Sequence, residues 1–306
     1  MKSVILSLVL IAAVSCCNAQ KFKPALNLVK DSTYYLSTNS NSAITQTIGG
    51  QQNKINITLN WKMSFKVMAV TDSVYTMNAS YQSLSTKIEQ AAGFIDFDSK
   101  KNDPQDRPSM VFAAVVNKPV KVEITKSGKV KSVSNADKLI QDAIAGVAQL
   151  DTTQQAQVKA LLTQYFNPES LKGYIETGAL IFPSTPVAKD DKWKVDIKRE
   201  TPAKMQLSIN YQLIDVVKDL YLVHGEGTIS SDKNAGAVQI NGMPVKYNLS
   251  GSFISDVRLN KSTGWISSFR TTQLIVGDMH IQDNPQVPGG MSIPVSFNTN
   301  EVITGN

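Results

Sequence analysis

The chain has 306 residues, 42% of them hydrophobic and 18% charged, with a formal net charge of +6. That balance excludes a disordered chain and leaves enough residues to bury a core without staples. The mild positive charge permits contact with anionic surfaces but does not point to nucleic acid as a partner.

Lys2, an apolar run over positions 4–14 broken only by Ser7, and small residues over 15–19 have the layout of a secretory signal. The run is too short to cross a bilayer, which needs about 20 apolar residues. No later stretch approaches that length, so no transmembrane helix is expected. Two cleavage readings stand. Cys17-Asn18-Ala19 suits an ordinary peptidase cutting after Ala19, whereas Ala13-Val14-Ser15-Cys16 has the form of a bacterial lipobox, with Cys16 as the lipidation site. A lipobox is usually followed by a flexible tether, and positions 21–30 are patterned and poor in Gly and Ser, which favours Ala19. The expected organisation is a signal peptide over 1–19 and a single β-rich domain over 20–306, in the periplasm or associated with the outer membrane. Both cysteines lie within positions 1–19, so a chain cut after Ala19 has no thiol for disulfides, nucleophilic catalysis or zinc.

Positions 34–48 read as a weak strand pair. From 55 to 69 the odd positions (Ile55, Ile57, Leu59, Trp61, Met63, Phe65, Val67 and Ala69) are apolar and the even ones through Lys66 are polar. Period two buries one face and wets the other. At about 3.3 Å per residue this strand spans roughly 50 Å, so it must bend, twist or serve two parts of a sheet. Thr71-Asp72-Ser73 turns it into a partner carrying Tyr75, Met77, Ala79 and Tyr81. A polar loop over 98–108 and a stretch apolar on both faces over 110–116 follow. Val120, Val122 and Ile124 then lead through Lys126-Ser127-Gly128 into Val130. Three helices are expected next, capped by Asn135, Asp151 and Asn167, the last with Pro168 at its first position.

Strands resume with Trp193-x-Val195-x-Ile197 and with Met205, Leu207, Ile209, Tyr211 and Leu213. Asn241-Gly242 marks a hairpin, 260–264 a turn, 282–290 a loop, and 293–297 a last strand. The turn Lys126-Ser127-Gly128 is echoed by Lys261-Ser262-Thr263-Gly264, which common turn chemistry explains without duplication. The expected fold class is mainly β (α+β): an antiparallel, strongly curved sheet or half-barrel in two β stretches, 25–133 and 187–303, with a central helical segment over 135–180.

Several of these positions carry a resemblance. They are Leu26-x-Leu28-x-Lys30-Asp31-x-Thr33-Tyr34, Gln46-x-Ile48-x-Gly50-Gln51, Phe97-Asp98-Ser99, the Lys126-Ser127-Gly128 turn, Pro183 to Pro186, Asp191-x-Trp193 and Thr263-Gly264-Trp265. Together they resemble a domain-of-unknown-function family of exported proteins from Gram-negative bacteria, common in the Bacteroidetes group. Members often place Gly before the Asp-x-Trp, where this chain has Asp190. The resemblance implies fold and compartment and assigns no activity.

No motif in the chain carries chemistry. His224 and Glu226 share a strand face without an evident third ligand, and zinc needs three or four. His280 has no recognisable context. Asp96, Asp98 and Asp103 suggest a calcium loop, but the fifth, sixth and twelfth positions are Lys100, Lys101 and Arg107 where an oxygen ligand, Gly and Glu are required. Asp190-Asp191 reads as a polar turn. Lys118, Lys121, Lys126, Lys129 and Lys131 make one hairpin basic, as edge-protecting lysines do. Met63, Met77, Tyr75, Tyr81, Met205, Tyr211, Met243 and Tyr247 either line a pocket or form plain core. No catalytic residue, metal site or cofactor is expected. The functional expectation is a non-catalytic envelope protein binding a lipid or other apolar ligand, with an apolar cavity of roughly 300 Å³ or more. The alternative is a structural or interaction component with a packed core.

Overall fold

The computed structural model describes residues 20–306 apart from 102, 104, 148–151, 180, 200–202 and 241. Positions 1–19, on which the signal-peptide expectation with Lys2 and the alternative processing sites Ala19 and Cys16 rests, lie outside the described residues, as do Asp151 and Asn241. The chain opens with strands β1 (Thr33–Ile48), β2 (Gln51–Val70), β3 (Val74–Gln90) and β4 (Gly93–Asp98). Helix α1 (Arg107–Val115) precedes β5 (Val120–Thr125) and β6 (Val130–Ser134). Then come α2 (Ala136–Gly146), α3 (Thr152–Phe166) and α4 (Pro168–Ala179). The remainder is β7 (Lys192–Arg199), β8 (Met205–Val217), β9 (Leu220–Ser231), β10 (Val238–Ile240), β11 (Met243–Asn260), β12 (Ile266–Ile281) and β13 (Met291–Gly305).

These strands form one antiparallel sheet that does not close. Its order is β6-β5-β3-β2-β1-β13-β12-β11-β9-β8-β7, with β4 added beside β3 and β10 beside β11. The first and last strands therefore pair with each other at its centre. Helix α4 packs against both β6 and β7, the two ends of the order.

The alternation over 55–69 survives in three dimensions. Trp61, Met63 and Phe65 lie opposite Thr38, Leu36 and Tyr34 on β1 and face one cavity together. Two register shifts against β3, near Met63 and between Val67 and Ala69, relieve the long β2–β3 pairing without turning these side chains over. Burial fades along β2. Met63, Phe65 and Val67 are buried, whereas Ile55, Ile57, Leu59 and Trp61 are half-buried.

Three expectations need correction. Positions 34–48 form the single strand β1, because backbone pairing to β2 on one side and β13 on the other holds a chain whose side chains alternate poorly. Within 98–116 a helix, α1, replaces the loop-then-extended reading. The Asp106 side chain accepts from the Ser109 amide, Pro108 sits in the first turn, and Val111 and Val115 bury one helical face. Asn135 caps nothing with its side chain; it is left-handed at φ 68°. Asn167 does cap α4, its Oδ1 accepting from the Ser170 amide at 2.9 Å.

The N-terminal segment plugs one end of the sheet. The Leu26 amide donates to Lys126 O and the Asn27 amide to Thr263 O, both at 2.8 Å. The segment thus lies between the two echoed turns. Tyr75 Oη donates to Leu26 O at 2.9 Å and accepts from the Leu28 amide at 3.2 Å. Gly264, at φ +68°, leaves room for the Ala25 carbonyl, which a Cβ there would strike.

Candidate functional site

Pairing register brings a polar row onto the helix-facing side of the sheet. Tyr211 lies opposite Gly225, Gly225 opposite Ser255, Ser255 opposite Thr271, Thr271 opposite Glu301, and Glu301 opposite Ser40. Tyr211, Ser255, Thr271 and Ser40 are buried, and Glu301 is partly so. The hydroxyls of Tyr211, Ser255 and Thr271 make no hydrogen bond of ordinary geometry among the described residues, although Ser255 adjoins Tyr211 closely enough to act on its phenol. Each such hydroxyl costs about 1–3 kcal/mol in desolvation left uncompensated, so three in one row are unusual for a packed core. Gly225 makes the row possible, since a Cβ there would overlap the Tyr211 ring and Ser255 Oγ. Burial pushes the Tyr211 phenol up, with the adjacent Ser255 and the Arg199 charge opposing.

Arg199, on the last strand β7 opposite Met205, lies near enough to Tyr211 and Glu301 for its charge to act on both. Helix α4 lies over it: Gly173 rests against its backbone and stem, and its Nε donates to Thr177 Oγ1 at 3.0 Å. Burial pushes the Arg199 guanidinium down and the Glu301 carboxyl up, and each charge partly offsets the shift of the other. The two act on one another without an ion pair or hydrogen bond between them among the described residues. Opposite charges in a low-dielectric interior attract strongly. Here Thr177 tethers one and the β13 backbone holds the other.

Apolar surface flanks the polar row on both sides. Toward the plugged end, Leu36, Trp61, Met63, Phe65, Tyr174 and Ile303 help to line a cavity of about 60 Å³. That falls far short of the expected 300 Å³, because the helices and the N-terminal segment fill this half. Toward the other end the inner face continues beyond the helices. Ile275, Phe297, Ile44 and Ile55 form one row across four strands, with Ile57 and Leu59 further along β2. All six are half-buried. Of the eight Met and aromatic positions singled out, Met63, Met77, Tyr75, Tyr81, Met205 and Tyr211 are buried, and Met243 and Tyr247 only pack against that core.

Two further hollows are polar. One of about 500 Å³ includes Asn39, Asn60, Lys62 and Ser85, whose side chains point away from the helices. Another of about 320 Å³ lies beside α4, among Lys129, Glu169, Lys172, Glu176, Asp196 and Lys198.

Several of the remaining sequence candidates are held in local polar contacts. His224 has Nδ1 2.8 Å from Asp256 Oδ1 and Nε2 3.1 Å from Glu226 Oε1, so carboxylates engage both ring nitrogens. Asp256, the partner that sequence reading missed, sits directly across from His224 on β11. No group of metal-ligating side chains stands out among the described residues. The acidic loop is neutralised by its own Lys101, 3.2 Å from Asp96 and 3.1 Å from Asp106. Asp191 Oδ2 accepts from the Ala188 amide at 2.8 Å, which makes Asp190-Asp191 a turn, with Asp190 at φ 70°. Lys121 pairs with Glu123 at 3.4 Å within the basic hairpin. No helix among the described residues is long and apolar enough to cross a membrane.

A family model described as a family of unknown function (DUF6263) matches residues 72–266, and the chain belongs to that family. No curated protein sequence matches it. Among solved structures it is similar to one of lipovitellin titled for lipid–protein interactions, at 9% identity and a TM-score of 0.45. That alignment covers 92% of this chain and 25% of the other, so the chain spans about a quarter of that relative. An outer membrane channel from Pseudomonas putida F1 aligns at 8% identity and a TM-score of 0.27, over 92% and 97% of the two chains. The outer membrane protein OprG from Pseudomonas aeruginosa aligns at 7% and 0.21, over 90% and 97%.

Proposed function

We propose that this protein is an exported, non-catalytic component of a Gram-negative envelope that binds an amphipathic ligand on the inner face of a strongly curved sheet. One observation carries the reading. The inner faces of the long strands stay apolar past the polar row, half-buried at Ile44, Ile55, Ile57, Leu59, Ile275 and Phe297 and buried again at Val295 and Ile293. An apolar inner face that the helices cover only in part suits the acyl chain of an amphipathic ligand. Support for curvature comes from α4, which touches both ends of the strand order and so brings them within one helix width of each other. The ligand seat in this reading is the open trough rather than the small enclosed cavity. Export follows the leader, with cleavage after Ala19.

The test uses delipidated protein and an uncharged naphthyl fluorophore. The probe brightens on binding the native chain, and Leu59→Asp or Phe297→Asp weakens binding at least about tenfold while leaving the melting temperature within a few degrees. Native mass spectrometry of protein from its own host detects a co-purifying amphiphile. A chain that binds no apolar probe and carries nothing from its host is the structural component instead.

A further inference from the structure

The polar row and its two charges say what kind of headgroup the trough accepts. Arg199 spends one donor, Nε, on Thr177, and its terminal nitrogens have no partner among the described residues. The Glu301 carboxylate likewise accepts no hydrogen bond among them and meets no cation in contact. Between strands β8 and β13 lie the unpartnered hydroxyls of Tyr211, Ser255 and Thr271, each more than nine-tenths buried. A purely anionic group would satisfy Arg199 and be repelled by Glu301. A purely cationic one would do the reverse. A group carrying both charges satisfies both sites, and the hydroxyls bond to either end. Arg199 and Glu301 are the partly exposed members, and the apolar row of Ile44, Phe297 and Ile275 begins two rungs beyond Glu301 on the same face.

We propose that Arg199 and Glu301, with the hydroxyls of Tyr211, Ser255 and Thr271, form the seat for a zwitterionic headgroup whose acyl chain lies in the trough. Arg199 takes the phosphate and Glu301 the ammonium. This rests on the amphiphile-binding reading above.

The experiment titrates the delipidated full chain with short-chain phosphatidylethanolamine, short-chain phosphatidylglycerol and free phosphoethanolamine, beside the uncharged naphthyl probe. Phosphatidylethanolamine binds at least about tenfold tighter than phosphatidylglycerol. Arg199→Met weakens both lipids at least about tenfold, and Glu301→Gln weakens only phosphatidylethanolamine. Glu301→Gln is nearly isosteric, so it decides the matter even where Arg199→Met fails to fold. Equal binding of the two lipids by the native chain, or an unchanged preference in Glu301→Gln, overturns the assignment, and continued probe binding then leaves the amphiphile reading intact. Free phosphoethanolamine binding as tightly as the lipid overturns the acyl-chain part and keeps the charge-pair seat. Loss of probe and lipid binding together sinks both.

Discussion

Gly225 is a glycine because Tyr211 and Ser255 occupy the space its Cβ would need. Gly225→Ala forces that ring to move, and overpacking of this kind costs about 1–3 kcal/mol. A urea midpoint unchanged by the substitution would show that the row is looser than drawn. His224 is a second residue whose neighbours decide its behaviour. Asp256 raises its pKa most, desolvation opposes, and Glu226 adds to the rise. A His raised by its partners stabilises the fold in full below the unfolded value of about 6.5, and that contribution disappears as pH climbs through the raised folded value. An NMR titration places the His224 midpoint above 6.5, and Asp256→Asn brings it down. A midpoint indifferent to Asp256→Asn contradicts the bond.

Among the elements, α4 has the most consequences. It begins on a strong local signal, the Asn167 cap and Pro168, and Asn167→Ala lowers stability by about 1 kcal/mol in chemical denaturation. Its outward pairings are what join the sheet ends. Glu176, only 6% exposed, accepts the Val130 amide of β6 at 2.9 Å, while Thr177 holds Arg199 of β7. Glu176→Ala leaves that buried amide unpaired, at a cost of about 1–3 kcal/mol. Hydrogen exchange at Val130 accelerates while the central β1–β13 amides stay protected. Uniform acceleration through the sheet would mean that α4 is not a local clasp.

At the scale of the molecule, stability is distributed along the strands. The plugged end holds the helices and the N-terminal segment, and toward the other end the inner face carries half-buried Ile44, Ile55, Ile275 and Phe297 beside buried Leu249, Ile281, Ile293 and Val295. Leu26 and Leu28, 3% and 4% exposed, tie the N-terminal segment into the core. Truncating either to Ala costs about 2–5 kcal/mol, measured by urea unfolding. The same truncation at half-buried Ile57 costs visibly less. Equal losses would place the trough inside the core and remove the ground for a ligand there.

Strand identity was legible because period two is a local property: Trp61 and Phe65 share a face wherever the strand is placed. The Asn167-Pro168 helix start was legible for the same reason. Helix α1 was not, because its short apolar run fits either period until Asp106 caps it. The polar row lay beyond any reading of the chain, since its members come from strands far apart in sequence, Ser40, Ser255, Thr271 and Glu301 looking like ordinary polar interruptions and Tyr211 like one more pocket-or-core position. Only the register of β1 against β13, and of β8 through β12, aligns them, and only α4 brings Arg199 under the same cover. The sequence by itself determined which faces are apolar, because alternation needs no partner. Tertiary structure alone decided which polar groups meet and how much of the inner face the helices cover, because pairing register and helix placement depend on contacts between distant parts of the chain.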